Sequence, residues 1–102
     1  MNRRFVIAAE GLTGEQERKV RDYLAEHGAW WHWIDNLWLL STTTTSEDFG
    51  TVNILDAISK LNGDAKVLVF EFPEDIDWAA RSKPNRKGKS MSDWLRNAWA
   101  RK

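Results

Sequence analysis

The chain has 102 residues, 15 Lys and Arg against 15 Asp and Glu, and no cysteine. That length suits one domain with one modest core, and the lack of thiols excludes a disulfide framework or a thiolate metal site. No apolar run approaches the ~18 residues of a membrane span, and MNRRFVIAAEG meets Glu10 too soon for a secretory signal, so a soluble cytoplasmic protein without membrane contact is expected.

Arg4 to Ala9 is a short run rich in Phe, Val and Ile, read as the first strand, and Gly11 breaks it. Thr13 with Gln16 forms a capping box that opens a helix, and Glu15 and Glu17 suit the positive end of its dipole. Val20, Tyr23, Leu24 and His27 share one face, and Gly28 stands where a left-handed residue would stop the helix.

Ala29 to Thr42, AWWHWIDNLWLLST, reads as two strands joined by a tight turn at Asp35-Asn36, because Asx residues tolerate the positive φ of a two-residue turn. Trp31 and Trp33 point one way; Trp30, His32 and Ile34 point the other. Leu37 and Leu39 alternate with Trp38 and Leu40. Neither face is polar, so both need a cover. Together with a load of seven tryptophans, this favours a homodimer, with Trp30, Trp31, Trp33 and Trp38 as candidate interface residues.

The polar run Ser41 to Ser46 reads as the frayed end of a strand that feeds a helix N-cap at Ser46; a phosphorylation or ligand loop is the sharper alternative. A second helix is predicted over Glu47 to Leu61, with Gly50, Ile54, Ala57, Ile58 and Leu61 as its buried stripe. Asn62-Gly63 ends it, and Ala65 to Phe72 is the fourth strand.

Residues 73–90 form an acidic and then a basic loop. Within 91–101, Met91, Trp94, Leu95, Ala98 and Trp99 make one apolar stripe of a terminal helix that Ser90 and Asp93 cap. Residues 81–102 hold eight Lys or Arg against Asp93 alone, a charge of +7, so residues 1–80 carry −7. A basic tail on an acidic body binds nucleic acid or folds onto an acidic body, its own or a sister chain's.

The order strand, helix, strand, strand, helix, strand is the split βαβ pattern of an α+β, ferredoxin-like domain spanning residues 1–102. Right-handed crossovers give an antiparallel sheet in order 4-1-3-2 with two helices on one face. The other face is then bare and apolar, which is the physical case for a dimer.

FVIAAEGL, the helix ending in HG, WWHWIDNLWLLST, VLVFEF and SDWL resemble short stand-alone relatives of the CRISPR-associated small adaptation nuclease, the SinR-type proteins, with the VapD toxins as cousins. The resemblance covers most of residues 4 to 99. It implies a ferredoxin-like homodimer and, in the nuclease branch, an Asp at the end of the first strand that holds a divalent metal at the dimer axis. The matching position is Glu10, which makes it the candidate catalytic residue and metal ligand. Glu is one methylene longer than Asp, so the geometry around Mg²⁺ or Mn²⁺ shifts.

In the 4-1-3-2 arrangement Glu10, Asp35 and Asp64 fall along one edge of the sheet, where carboxylates can hold a cation against a phosphodiester. Acidic residues at turns are more often solvated caps. By parity Arg4, Val6, Ala8 and Glu10 share the open face, while Phe5, Ile7 and Ala9 meet the helices. His27 and His32 are candidate acid–base groups for RNA cleavage, but His27 lies on the apolar stripe of the first helix and His32 alternates with tryptophans in a strand, so both read first as packing. The hairpin tryptophans lack the Lys and Arg that RNA-binding sheets interleave with aromatics, so Arg81, Lys83, Arg86, Lys87 and Lys89 are the better phosphate contacts.

Two function classes stand. One is a homodimeric nucleic-acid-associated protein, at its fullest a metal-dependent ribonuclease or deoxyribonuclease that has drifted from its relatives. The other is a non-catalytic interaction module, such as a phage or mobile-element factor acting on a host protein complex.

Overall fold

The computed structural model describes residues 3–44 and 48–73, apart from the side chain of Trp33. The expected N-cap at Ser46, the acidic and basic loops and the terminal helix lie outside the described residues. Among the described residues no helix is long and apolar enough to cross a membrane.

The architecture is α+β: strand β1 (Arg3–Glu10), helix α1 (Gly14–His27), strands β2 (Ala29–Ile34) and β3 (Leu37–Thr42), helix α2 (Thr51–Leu61) and strand β4 (Lys66–Phe72). The four strands form one open sheet in the order β2-β3-β1-β4, and every neighbouring pair is antiparallel.

Alternation along β1 divides the sheet as expected. Phe5, Ile7 and Ala9 are buried and pack with Val20 and Leu24 of α1, Ile54 and Ile58 of α2, and Trp38 and Leu40 of β3. Ile7 stands opposite both Trp38 and Val69, so the three share the helix face. Arg4, Val6, Ala8 and Glu10 take the other face, opposite Phe72, Phe70, Leu68 and Lys66.

Helix α1 begins as its capping box requires. The Thr13 hydroxyl accepts from the Gln16 amide at 3.2 Å, and the Gln16 side chain accepts from the Thr13 amide at 2.9 Å. Its end differs from expectation, because Gly28 is extended (φ 168°) and not left-handed. Glycine is needed there for another reason: a Cβ would sit 2.2 Å from the Ser41 carbonyl oxygen, where the chain leaving α1 crosses the end of β3. The Thr42 hydroxyl reinforces that crossing by donating to the His27 carbonyl at 2.6 Å.

The hairpin turns where its Asx pair predicts, with Asn36 at φ 66°. A register shift between Trp31 and Ile34 sets Ile34 opposite Leu37, so the alternation read along the first hairpin strand breaks before the turn. Helix α2 starts at Thr51 and not at Glu47. Phe49 explains this: it is buried, stacks on His27 at 4.4 Å and meets Phe5 edge-on at 5.6 Å, so it serves the core from the connection just ahead of the helix. The helix opens just after, with the Asn53 side chain accepting from the Gly50 amide at 2.9 Å.

Candidate functional site

Glu10 ends β1, exposed, on the face away from the helices and directly opposite Lys66. The backbone on either side of it is held. The Ala9 amide donates to the Asn36 carbonyl at 2.8 Å, which brings the hairpin turn alongside. Gly11 follows at φ 98°, a conformation that favours glycine. Its carbonyl accepts from the Asn62 side chain at 3.1 Å, which also reaches Gln16 Oε1 at 3.3 Å. Asn62 therefore ties the turn after Glu10 to the start of α1 and the end of α2, a role that the sequence signalled only as a helix stop. Ala8, Ala9, Glu10, Asn36, Lys66, Val67 and Leu68 line an open depression of about 250 Å³.

Asp35 and Asp64 stand at the same end of the sheet as Glu10, as the strand order requires. The Asp64 amide donates to the Asn62 side chain at 3.0 Å, in the connection between α2 and β4. The expected three-carboxylate cluster does not assemble within one chain. Among the described residues, no three His, Cys, Asp or Glu side chains stand close enough to hold a metal ion. One end of a sheet is wide, and an exposed turn residue is aimed by nothing beyond its own loop.

Of the candidate interface tryptophans, Trp38 and Trp31 are buried inside the subunit at 0% and 2% exposure. Trp38 belongs to the core under the helices, and Trp31, opposite Leu39, is buried on the other face of the sheet. Trp30 is exposed, and the Trp33 side chain lies outside the described residues. Both histidines pack: His27 between Tyr23 and Phe49, His32 flat against Trp38. The His32 ring also places Nδ1 2.9 Å from the Leu37 carbonyl and Nε2 3.6 Å from Glu17.

A second depression, of about 240 Å³, was not foreseen. Gly14, Glu17, Arg18 and Arg21 of α1 line it with Trp30 and His32 of β2. The hairpin carries no basic residue, but α1 lays two arginines beside the exposed indole of Trp30. Arg21 also contacts Asp22 at 3.3 Å, in a pair that leaves both side chains largely in solvent. The helical spacing of Arg18 and Arg21 was legible; their closeness to Trp30 comes only from packing the helix against the edge strand.

Comparison with protein-family models, with curated proteins and with solved structures finds no match to this chain.

Proposed function

We propose that the protein is a ferredoxin-like homodimer that associates with nucleic acid. The sheet order, β4-β1-β3-β2 when read from the other edge, supports the fold assignment. The observation that carries the function is the open groove that Trp30 and His32 of β2 line together with Arg18 and Arg21 of α1. An indole offers a stacking surface to any base, and guanidinium groups beside it meet the phosphates, which is the chemistry of single-strand binding. The basic segment from Arg81 to Lys89 adds charge for the same ligand.

Glu10 belongs to this reading through the resemblance to the small adaptation nuclease. Each subunit offers one exposed carboxylate at the strand end, so a shared Mg²⁺ or Mn²⁺ needs two copies brought together by a two-fold axis. Such a cation would polarise a phosphodiester and relieve the repulsion between the two carboxylates, in competition with the Lys66 that stands opposite Glu10 in each subunit.

A second reading, the non-catalytic interaction module, draws on a different feature. Leu68 and Phe70 of the edge strand β4 are 54% and 47% exposed on the face away from the helices. Such a strip suits a protein surface, either a second copy or a host component.

One set of assays separates the two. Labelled single- and double-stranded RNA and DNA are titrated with the purified chain in rising salt, with Mg²⁺ or with EDTA. Nucleic-acid association predicts salt-dependent binding that Trp30→Ala and Arg18→Glu each weaken about tenfold or more. Glu10→Gln should abolish any cleavage and any cation binding by calorimetry while leaving the sedimentation coefficient of the dimer unchanged. No binding to any of the four ligands at low salt would favour the interaction module. A monomer at micromolar concentration would remove the shared-cation site.

A further inference from the structure

One wall of the Trp30 groove carries a contact that depends on a proton. The His32 ring places Nδ1 2.9 Å from the Leu37 carbonyl of β3 and Nε2 3.6 Å from the Glu17 carboxylate of α1. A carbonyl oxygen only accepts, so Nδ1 carries a hydrogen. In the neutral ring that is the single N–H, and Nε2 then turns a lone pair towards an anion. In the charged ring both nitrogens donate, and both neighbours are acceptors. The flat stack on Trp38, at 4.1 Å, also sets the charged ring over an indole face. Among the described residues, the other charged groups that line the depression are Arg18 and Arg21 of α1.

Glu17 matters because of where it stands. It lines the groove beside Arg18 and Arg21, and it precedes Arg21 by four residues, the helical spacing at which a carboxylate and a guanidinium meet. A carboxylate released there repels a phosphate and competes for Arg21. Held by a charged imidazole, it does neither. We propose that His32 and Glu17 form a proton-operated gate on this groove. Protonation of His32 draws the Glu17 carboxylate to β2 and leaves Arg18 and Arg21 to the phosphates of a single strand. Loss of the proton returns the carboxylate to the arginines. The gate rests on the nucleic-acid reading of the groove and gives that binding a direction: tighter as pH falls. His32 is thus a positioning residue that acts through Glu17.

The test titrates a labelled single-stranded oligonucleotide with the full-length chain at fixed salt, at about pH 5.8 and about pH 7.6, a range in which histidine is the side chain that ordinarily changes charge. The chain has two histidines, and His27, packed between Tyr23 and Phe49, serves as the control. The wild-type chain should bind at least about tenfold more tightly at the lower pH, and so should His27→Gln. Glu17→Gln lacks the carboxylate and should bind tightly at both values. His32→Gln carries no charge and should bind weakly at both. Glu17→Gln combined with His32→Gln should recover most of the Glu17→Gln affinity, an outcome that a direct phosphate contact from His32 would not give. Should His32→Gln fail to fold, Glu17→Gln, an outward substitution on α1, decides by itself. Equal wild-type affinity at the two pH values overturns the gate while nucleic-acid binding stands, and so does a pH dependence that Glu17→Gln leaves intact. A dependence that disappears in His27→Gln assigns the proton to the other histidine and overturns the gate too. No binding at either pH removes the nucleic-acid reading and the gate with it.

Discussion

The imidazole of His32 lies flat on the indole of Trp38, with ring centroids 4.1 Å apart and planes within 5°. The pair joins the edge strand to its neighbour just where the register shift has loosened the ladder. Trp38, fully buried opposite Ile7, is the heavier partner. Trp38→Ala should cost roughly 3–5 kcal/mol in chemical denaturation, the range for truncating a buried large aromatic. His32→Ala should cost much less, about 1 kcal/mol, since it forfeits a stacked pair on a half-buried ring. Equal costs would mean that the stack, and not the burial of the indole, holds the hairpin.

Gly28 and Gly14 bracket α1 and should respond oppositely to the same change. A methyl group at Gly28 would meet the Ser41 carbonyl oxygen at 2.2 Å, a backbone atom that cannot swing away. Gly28→Ala should therefore destabilise by at least ~2 kcal/mol. At Gly14 a Cβ meets nothing within 4 Å, so Gly14→Ala should be neutral or mildly stabilising. Thermal melts of the two variants check both.

Arg3 joins three parts of the chain. Its guanidinium donates to both carboxylate oxygens of Glu71 on β4 at 2.9 Å and to the Phe49 carbonyl at 2.8 Å. Both partners of the ion pair reach solvent, so screening limits its worth. Arg3→Ala should cost ~1–2 kcal/mol, and a double-mutant cycle with Glu71→Gln should return a coupling of about 1 kcal/mol or less. Arg3→Lys should recover only part of the loss, because an ammonium cannot make the same fork.

Tyr23 is the chain's single tyrosine. Burial raises its pKa above the ordinary value, and the nearby Glu26 carboxylate raises it further. A raised folded pKa means that the folded state holds the proton more tightly. That contribution is fully present below the unfolded tyrosine pKa of ~10 and is lost as pH rises from there through the raised folded value. Unfolding titrations between neutral and strongly alkaline pH should show a loss that Tyr23→Phe reduces. Identical alkaline profiles for the two proteins would mean that Tyr23 ionises freely in the fold.

Local sterics and periodicity made much of this protein legible in its sequence. The capping box at Thr13 and Gln16, the turn at Asn36, the stop at Gly11 and the division of β1 into Phe5, Ile7 and Ala9 against Arg4, Val6, Ala8 and Glu10 each depend on residues a few positions apart. Such features survive whatever the rest of the chain does. The element order alone also brought Glu10, Asp35 and Asp64 to one end of the sheet. What the tertiary structure decided are the contacts made across long stretches of chain. Phe49 belongs to the core because it finds His27 and Phe5, and α2 starts late as a result. Gly28 is glycine because β3 passes over it. Trp30 has basic neighbours because α1 packs against its strand. In each case the deciding partner is distant in sequence, and no spacing rule along the chain encodes it.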